Sequence, residues 1–582
     1  MSKTNCGSDK IKTPWLAFAG YPEEGLPIFE GSMVGLLDEA VKRHPGLPAL
    51  HFLGKEFTYA SLLREINLCA RALQSHGIQP GDAVLVSLPN VPNAIILLYA
   101  LNRIGARACF SHPLSSAAEQ EYYAKETGSR VAITLDLFFG RFNGLLENGT
   151  LNSLIIARIS DYLPPLTKTM YNVTRGRKNK QPPLQDTIRS WKDFIAAGRT
   201  APDTPWPEVS PEYGCVVLFS GGTTQLPKGI MLSSRNFNAL ASGAGYITHL
   251  TPGDNVLAIL PVFHGFGLGL CIHTCLCGGV SPILIPEFST KNYINCLLKH
   301  KPAYIAGVPT LFEALLRDPN FAKARFENLK GAYCGGDSLY PTLKHRFDEK
   351  ITAQGSTVVL KEGYGLTETV TACMISPDRY KEGSMGIPLP HMLGKVVEPD
   401  TEKELPYGTE GEICVAGPLI MQGYLNAPED TEKALRRHAD GQLWLHTGDL
   451  GTMDDEGYFY FKNRIKRIVK VSGISVYPAQ VEQVLETHPL VSRACVIGVP
   501  DDYQMTSLKA FVMLKAESEI GKVDEAAVQA DLTEHCKKQL IKWSVPRAIE
   551  IREKLPTTLV GKVAYTELEK EEAARREKAQ AE

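Results

Sequence analysis

Short apolar runs of strand character alternate with helical patterns from about residue 35 onward, and this alternation is what most limits the fold. Residues 83–87 read as a strand, 92–103 as a helix and 106–110 as the next strand, while 131–135, 255–260 and 303–308 read as further strands. Parallel strands need long crossovers, usually helices, so the pattern predicts α/β architecture with mixed, largely parallel sheets and flanking helices. At 582 residues the chain is long enough for more than one domain. Five basic residues crowd into 462–470, which sets a boundary between a large domain, 1–465, and a small α+β domain, 466–582. In the small domain 491–499 and 508–514 read as strands and 528–540 as a helix, and the tail from Glu567 reads as a frayed, solvated helix.

Composition excludes some classes. A net charge of −2 gives no general attraction to nucleic acid. The 13 cysteines are odd in number and scattered, which suits reduced thiols in the cytoplasm better than a disulfide framework. Cys271, Cys275 and Cys277 lie near His273; they read as buried small residues, with a metal site as the alternative. The first ten residues are polar and show no secretory h-region. The longest apolar run, 261–286, is broken by histidines and glycines and reads as a buried segment, not a membrane span. Residues 140–200 read as a solvated loop. The alternative is a peripheral, amphipathic patch for anionic lipid, since 158–182 mixes Met170 and Tyr171 with Lys168, Arg175, Arg177, Lys178 and Lys180.

The run 213–219 leads into Ser220-Gly-Gly-Thr-Thr-Gln-Leu-Pro-Lys-Gly229. Glycines let successive N–H groups converge on an anion, and hydroxyls and a lysine add donors and charge. Ser220, Gly221, Gly222, Thr223, Thr224 and Lys228 therefore form a candidate phosphate cradle. It is not a Walker loop, because Pro227 precedes Lys228 and Gly229 follows it. Glu362-Gly-Tyr-Gly-Leu-Thr-Glu-Thr369 sets an aromatic ring between glycines, and Thr367 and Glu368 offer hard oxygens for a cation such as Mg²⁺. Trp444-Leu-His-Thr-Gly-Asp449 carries a carboxylate at a strand end, able to accept both hydroxyls of a ribose. Taken alone, Gly335-Gly-Asp-Ser338 is as readily a plain turn, Lys562 a solvated lysine and His264 a core histidine.

Together, in order and spacing, these motifs resemble the adenylate-forming superfamily: acyl-CoA synthetases, aryl-CoA ligases, luciferases and peptide-synthetase adenylation domains. The resemblance covers about residues 30 to 570. It implies that Tyr364 stacks on adenine beside Gly365, with Gly336, Asp337 and Ser338 at the adenine edge. It implies that Thr367 contacts the α-phosphate, that Glu368 and Thr223 ligate Mg²⁺, and that Asp449 and Arg464 hold the ribose. His264 would gate an acyl channel lined by Val308, Gly335 and Gly363. Lys562 would serve adenylation, Lys466 would be the hinge of a mobile small domain, and Gly473 would line the thiol tunnel. The chain departs from the pattern at Gly221, Gln225, Asn463, Arg467, Gln480, Met505, Thr506 and Val560.

The implied activity is an ATP-dependent acid–thiol ligase: a carboxylate attacks the α-phosphate of ATP, and CoA then takes the acyl group from the adenylate. Residues 158–171, with Gly221 and Gly335, look like bacterial long-chain fatty acyl-CoA ligases and favour a medium- or long-chain fatty acid. A bulky alicyclic, steroid-like or aromatic acid is the alternative substrate. Loading of a carrier protein, or nucleotide or lipid binding without catalysis, are the alternative functions.

Overall fold

The computed structural model describes residues 11–22, 24–174, 184–220, 227–287, 289–472, 474–501, 505–516, 520–521, 523–558 and 562–581. Two large mixed sheets dominate. The nine-stranded sheet has a parallel centre of Pro48–Phe52, Ser281–Leu284, Asn255–Ala258, Tyr304–Gly307, Gly331–Gly335 and Leu360–Tyr364, with short antiparallel strands at both edges. The eight-stranded sheet runs parallel through Gly214–Phe219, Arg107–Phe110, Ala83–Ser87, Val131–Leu135, Ser153–Ala157 and Ile188–Ser190. Its central strands read buried at almost every position, as strands covered on both faces must. Helix Pro92–Arg103 is buried along its whole length. Its two polar tail residues have partners: Asn102 accepts the Val34 N–H at 2.9 Å, and Arg103 pairs through Nη2 with Asp38 at 2.6 Å.

A third, antiparallel sheet holds Leu393–Val397, Gly411–Ala416, Leu443–Met453, Leu435–Arg437 and Phe459–Arg464. Beyond it stand the hairpin Val469–Val471 with Ile474–Val476, and a three-stranded sheet of Val491–Asp501, Met505–Leu514 and Ala548–Ile551. Helices Pro478–Glu486 and Glu525–Gln539 pack on these strands around a separate core containing Val481, Leu485, Val496, Val512 and Leu532. The molecule is thus a large α/β domain followed by a small α+β domain.

Three expectations need correction. Residues 140–200 are not a solvated loop. They supply the buried strand Ser153–Ala157 and helix Trp191–Arg199, whose Trp191 and Phe194 enter the core. Helix Pro165–Thr174 is the part of the stretch that carries the predicted patch, and it is largely exposed; Arg175, Arg177, Lys178 and Lys180 lie outside the described residues. The tail is the expected, largely exposed helix, Tyr565–Ala581, but it is anchored and not frayed: Leu568 is fully buried, Glu572 meets Lys509 at 2.7 Å and Arg575 meets Glu550 at 2.8 Å. Asp449 lies inside the long strand Leu443–Met453, not at a strand end.

The apolar run 261–286 folds as a buried, wide-turned helix, Phe266–Thr274, and the strand Ser281–Leu284. Among the described residues no helix is long and apolar enough to cross a membrane. Cys271, Cys275 and Cys277 are buried and pushed up as thiols by that burial. His273 beside them meets Tyr99 at 3.1 Å and Asn238 at 3.2 Å, so hydrogen bonds satisfy the ring. Buried packing is the reading that holds for this cluster.

Candidate active site

Several of the predicted residues lie where parallel strands of the nine-stranded sheet end, the side of an open α/β sheet on which ligands bind. Val308 follows Tyr304–Gly307, Gly335 ends Gly331–Gly335, and Tyr364 ends Leu360–Tyr364. Gly335 and Gly363 are cross-strand partners, and a Cβ on Gly335 would stand 2.9 Å from the Gly363 carbonyl oxygen. Gly336 has φ +84°, a left-handed conformation, and a Cβ there would lie 3.6 Å from both Lys562 Cε and Val308 Cγ1. Lys562 of the small domain therefore reaches over the 335–338 loop of the large domain.

Tyr364 Oη donates to Asp449 Oδ2 at 2.8 Å, and Arg464 Nε stands 3.2 Å from Asp449 Oδ1 on the paired strand. The predicted adenine ring partner and both predicted ribose ligands are therefore joined by one hydrogen bond and one ion pair. Asp449 is 2% exposed, and burial raises its carboxyl above the ordinary range despite the Arg464 charge. Gly448, at φ +69°, turns the chain just before it. The Gly448 N–H donates to Glu412 Oε1 at 3.0 Å, Glu412 Oε2 meets His446 Nδ1 at 2.8 Å, and His446 Nε2 meets His438 Nε2 at 2.9 Å. Glu412, Cys414 and His446 are close enough together to ligate a metal. Yet both Glu412 oxygens and both His446 nitrogens are already engaged, so the cluster shapes the turn that aims Asp449. Sequence reasoning does not find this run of contacts, because nothing local to His446 shows its partners Glu412 and His438.

Glu368 accepts the Tyr424 hydroxyl at Oε1, 2.9 Å away, and its carbonyl accepts the Met421 N–H at 2.7 Å. One carboxylate oxygen is thus fixed in direction, and a carboxylate suits Mg²⁺ chemically. Lys228 Nζ pairs with Asp430 at 2.7 Å and lies 4.9 Å from the Tyr424 ring centre. Tyr424 and Asp430 carried no sequence signal. Gly221, Gly222, Thr223, Thr224 and Gln225 lie outside the described residues, as do Gly473 and Val560. The stems of the phosphate loop are described and closed: Ser220 N–H donates to the Lys228 carbonyl, and Lys228 N–H to Ser220 Oγ, each at 3.0 Å.

Lys562 and His264 feel one another. Burial, and then the Arg464 charge, pull the Lys562 ammonium below the ordinary lysine range. Burial, and then Lys562, pull His264 down to about 3. The imidazole is neutral at physiological pH, and its Nδ1 accepts the Phe266 N–H at 3.2 Å, which leaves the proton on Nε2.

Of the departures, Arg467 is tied into the small domain: it pairs with Glu482 at 2.7 Å and donates to the Val496 carbonyl at 3.2 Å. Asn463 is 1% exposed with neither amide atom hydrogen-bonded to another described residue.

Val370 sits immediately after Thr367–Thr369 at φ 62°, ψ −55°, with the Thr371 N–H bonded to the Thr369 carbonyl at 2.7 Å. That is a strained γ-turn, and a β-branched residue occupies its centre. Its carbonyl projects at Gly265: a Cβ there would meet the Val370 oxygen at 1.6 Å. Gly265→Ala must push apart the segments carrying His264 and Glu368. A cost of about 1–3 kcal/mol, the usual range for overpacking, is expected as a lower denaturation midpoint together with lost turnover. Unchanged stability and activity would show that the two segments move independently.

Residues 37–425 match the AMP-binding enzyme family, and 480–562 match the AMP-binding enzyme C-terminal domain. A Bacillus subtilis long-chain-fatty-acid–CoA ligase is 34% identical over 569 residues, covering 96% of this chain and 98% of that protein. The Arabidopsis thaliana 4-coumarate–CoA ligase-like 1 is 28% identical over 521 residues, covering 88% of each. The crystal structure of the anthranilate CoA ligase AuaEII with anthranoyl-AMP superposes with a TM-score of 0.78 at 24% identity, over 94% of this chain and 98% of that one; it shares the fold. The large α/β domain, the small α+β domain and the match across both place this chain in the AMP-binding enzyme family.

Proposed function

We propose that the chain is an ATP-dependent acyl-CoA synthetase that activates a medium- or long-chain fatty acid as its adenylate and passes it to CoA. One observation carries the reading: Lys562 of the small domain reaches the loop at Gly336, beside the Tyr364–Asp449–Arg464 group. A carboxylate is a poor acyl donor, and an AMP ester gives it a good leaving group. As the acid attacks the α-phosphate, negative charge grows on the phosphate and bridging oxygens. Lys562, Thr367, Ser220, Lys228 and the Gly221–Thr224 loop hold and neutralise that charge. Glu368 and Thr223 are the residues that would hold Mg²⁺, which neutralises phosphate charge when bound. Tyr364 and Gly365 face the adenine, the loop at Gly336, Asp337 and Ser338 edges it, and Asp449 with Arg464 orients the ribose. The acyl chain lies past His264, along Val308, Gly335 and Gly363. The boundary lies at 465/466 with Lys466 as hinge; rotation withdraws Lys562 and brings Gly473 to the adenylate, where the CoA thiol attacks the carbonyl and AMP leaves.

Fatty acid is favoured over aromatic acid because the relatives that match over nearly their whole length are named for long-chain fatty acids. We place the protein in the cytoplasm, with peripheral contact to anionic membrane through 158–182. Helix Pro165–Thr174 supports this by exposing Leu166 at 88%, Met170 at 65% and Val173 at 54%, at helical spacing.

The test is ATP–pyrophosphate exchange across a panel of acids, followed by addition of CoA or a carrier protein. Each buried methylene is worth about 0.8 kcal/mol, so kcat/KM should rise up to about fourfold per added carbon until the pocket is full. A chain of about eight or more carbons should outperform acetate. Best activity on acetate or benzoate would refute the fatty-acid reading, and transfer to a carrier protein alone would refute CoA as acceptor. Binding to anionic vesicles should weaken with salt; binding indifferent to salt would remove the membrane contact only.

A further inference from the structure

The small domain touches the 335–338 loop at a second point. Arg493, on strand Val491–Asp501, pairs through Nη2 with Asp337 Oδ2 at 2.8 Å. The arginine side chain is 10% exposed and the carboxylate side chain 29%. Arg493 lies 5.5 Å from the Tyr340 ring centre, and its Nε stands 3.8 Å from Glu486 Oε1 within its own domain. Asp337 divides its carboxylate: Oδ1 accepts the Ser338 N–H at 2.9 Å and so shapes the loop, while Oδ2 holds the arginine. Ser492 adds to the same seam. It donates to Glu313 at 3.3 Å and accepts from Arg317, both on the helix Pro309–Arg317 that follows Val308.

We propose that Arg493 is a positioning residue. By clamping Asp337 it holds the small domain in the orientation that delivers Lys562 to the nucleotide, and it couples that orientation to the shape of the loop proposed to edge adenine. The inference rests on the two-step reading above. An ion pair with one nearly covered partner holds strongly only while both partners face each other, so rotation of the small domain must break it. Arg493 then governs the adenylation step and has no part in thiol attack.

Arg493→Gln should lower ATP–pyrophosphate exchange about tenfold or more. Conversion of pre-made acyl-AMP and CoA to thioester should stay within about twofold. Arg493→Lys keeps the charge and should recover part of the loss. Because the arginine also stands near Glu486, Asp337→Asn is the second variant, and adding it to Arg493→Gln should cost little more than either change alone. Orientation is read without turnover by trypsin cleavage in 462–470 with ATP present: cleavage should be faster in Arg493→Gln than in wild type. Equal loss in both half-reactions, additive losses in the double variant, or identical cleavage would overturn the clamp. Absence of exchange in the wild type would overturn the two-step reading itself, and the cleavage comparison alone would then decide whether Arg493 holds the domain.

Discussion

Lys562→Ala should cut acyl-adenylate formation by about 10³-fold or more, the scale seen when a charged group is removed from a phosphoryl-transfer site. Conversion of pre-made acyl-AMP to thioester should change far less. The asymmetry follows from where the ammonium sits. It lies over Gly336, among the charges of Arg464, Asp337, Asp449 and Glu368, where a positioned ammonium can meet the charge that grows on the phosphate. Pyrophosphate exchange and single-turnover thioester formation separate the steps, and equal damage to both would remove Lys562 from the adenylation role. The pH dependence gives an independent check. Burial and Arg464 depress the Lys562 pKa in the free enzyme, so the protonated form is lost at lower pH than for a solvated lysine. kcat/KM for ATP in the exchange reaction, which involves no thiol, should therefore fall on the alkaline side below the ordinary lysine range. The residual activity of Lys562→Ala should lack that limb. His264, held near 3, contributes no change between pH 5 and 9.

How much of this was legible in the sequence depends on the range of the interaction. Parallel strands such as Val131–Leu135 and Tyr304–Gly307 could be read because burial on both faces demands an unbroken apolar run. The close backbone approach beside Tyr364 could be read from its flanking glycines because only a missing Cβ permits it; a Cβ on Gly365 would meet the Thr371 oxygen at 1.8 Å. What the sequence could not disclose is pairing across long separations. Tyr424 directs Glu368, Asp430 engages Lys228, and Glu412 fixes Gly448 from another strand. None carries a local pattern, since a single tyrosine or carboxylate reads as surface until its partner is known. The γ-turn at Val370 was hidden for the opposite reason. Local rules place glycine or asparagine at positive φ, and the packing that forces a valine there is tertiary. The anchoring of helix Tyr565–Ala581 is hidden for a related reason: a charged composition signals solvation, yet its carboxylates and Arg575 pair with Lys509, Arg552 and Glu550.

Lys466→Pro should separate the half-reactions in the direction opposite to Lys562→Ala. The turn Ile465–Arg467 joins strand Phe459–Arg464 of the large domain to the hairpin of the small one. On one side Arg464 is tied to Asp449 at 3.2 Å; on the other Arg467 is tied to Glu482 at 2.7 Å. Little chain is left between these anchors, so if the small domain turns as proposed, the change in backbone angles would concentrate at 465 and 466. Proline locks φ near −65°, within the range of the helical turn present here, and forbids the excursions a rotation needs. It also disfavours helical geometry at the residue before it, so Ile465 is strained and adenylation should fall modestly, by about tenfold or less. Thioester formation should fall by orders of magnitude, since the adenylate would form and then wait for a domain that cannot turn. The observable is acyl-AMP accumulating in stoichiometric amount with the enzyme after ATP and acid are added, undiminished when CoA follows. Normal turnover would place the pivot elsewhere. Loss of adenylation as complete as the loss of transfer would mean that proline had broken the turn instead of freezing it, and Lys466→Ala, which frees the backbone, would then have to restore both steps for the hinge at 466 to stand.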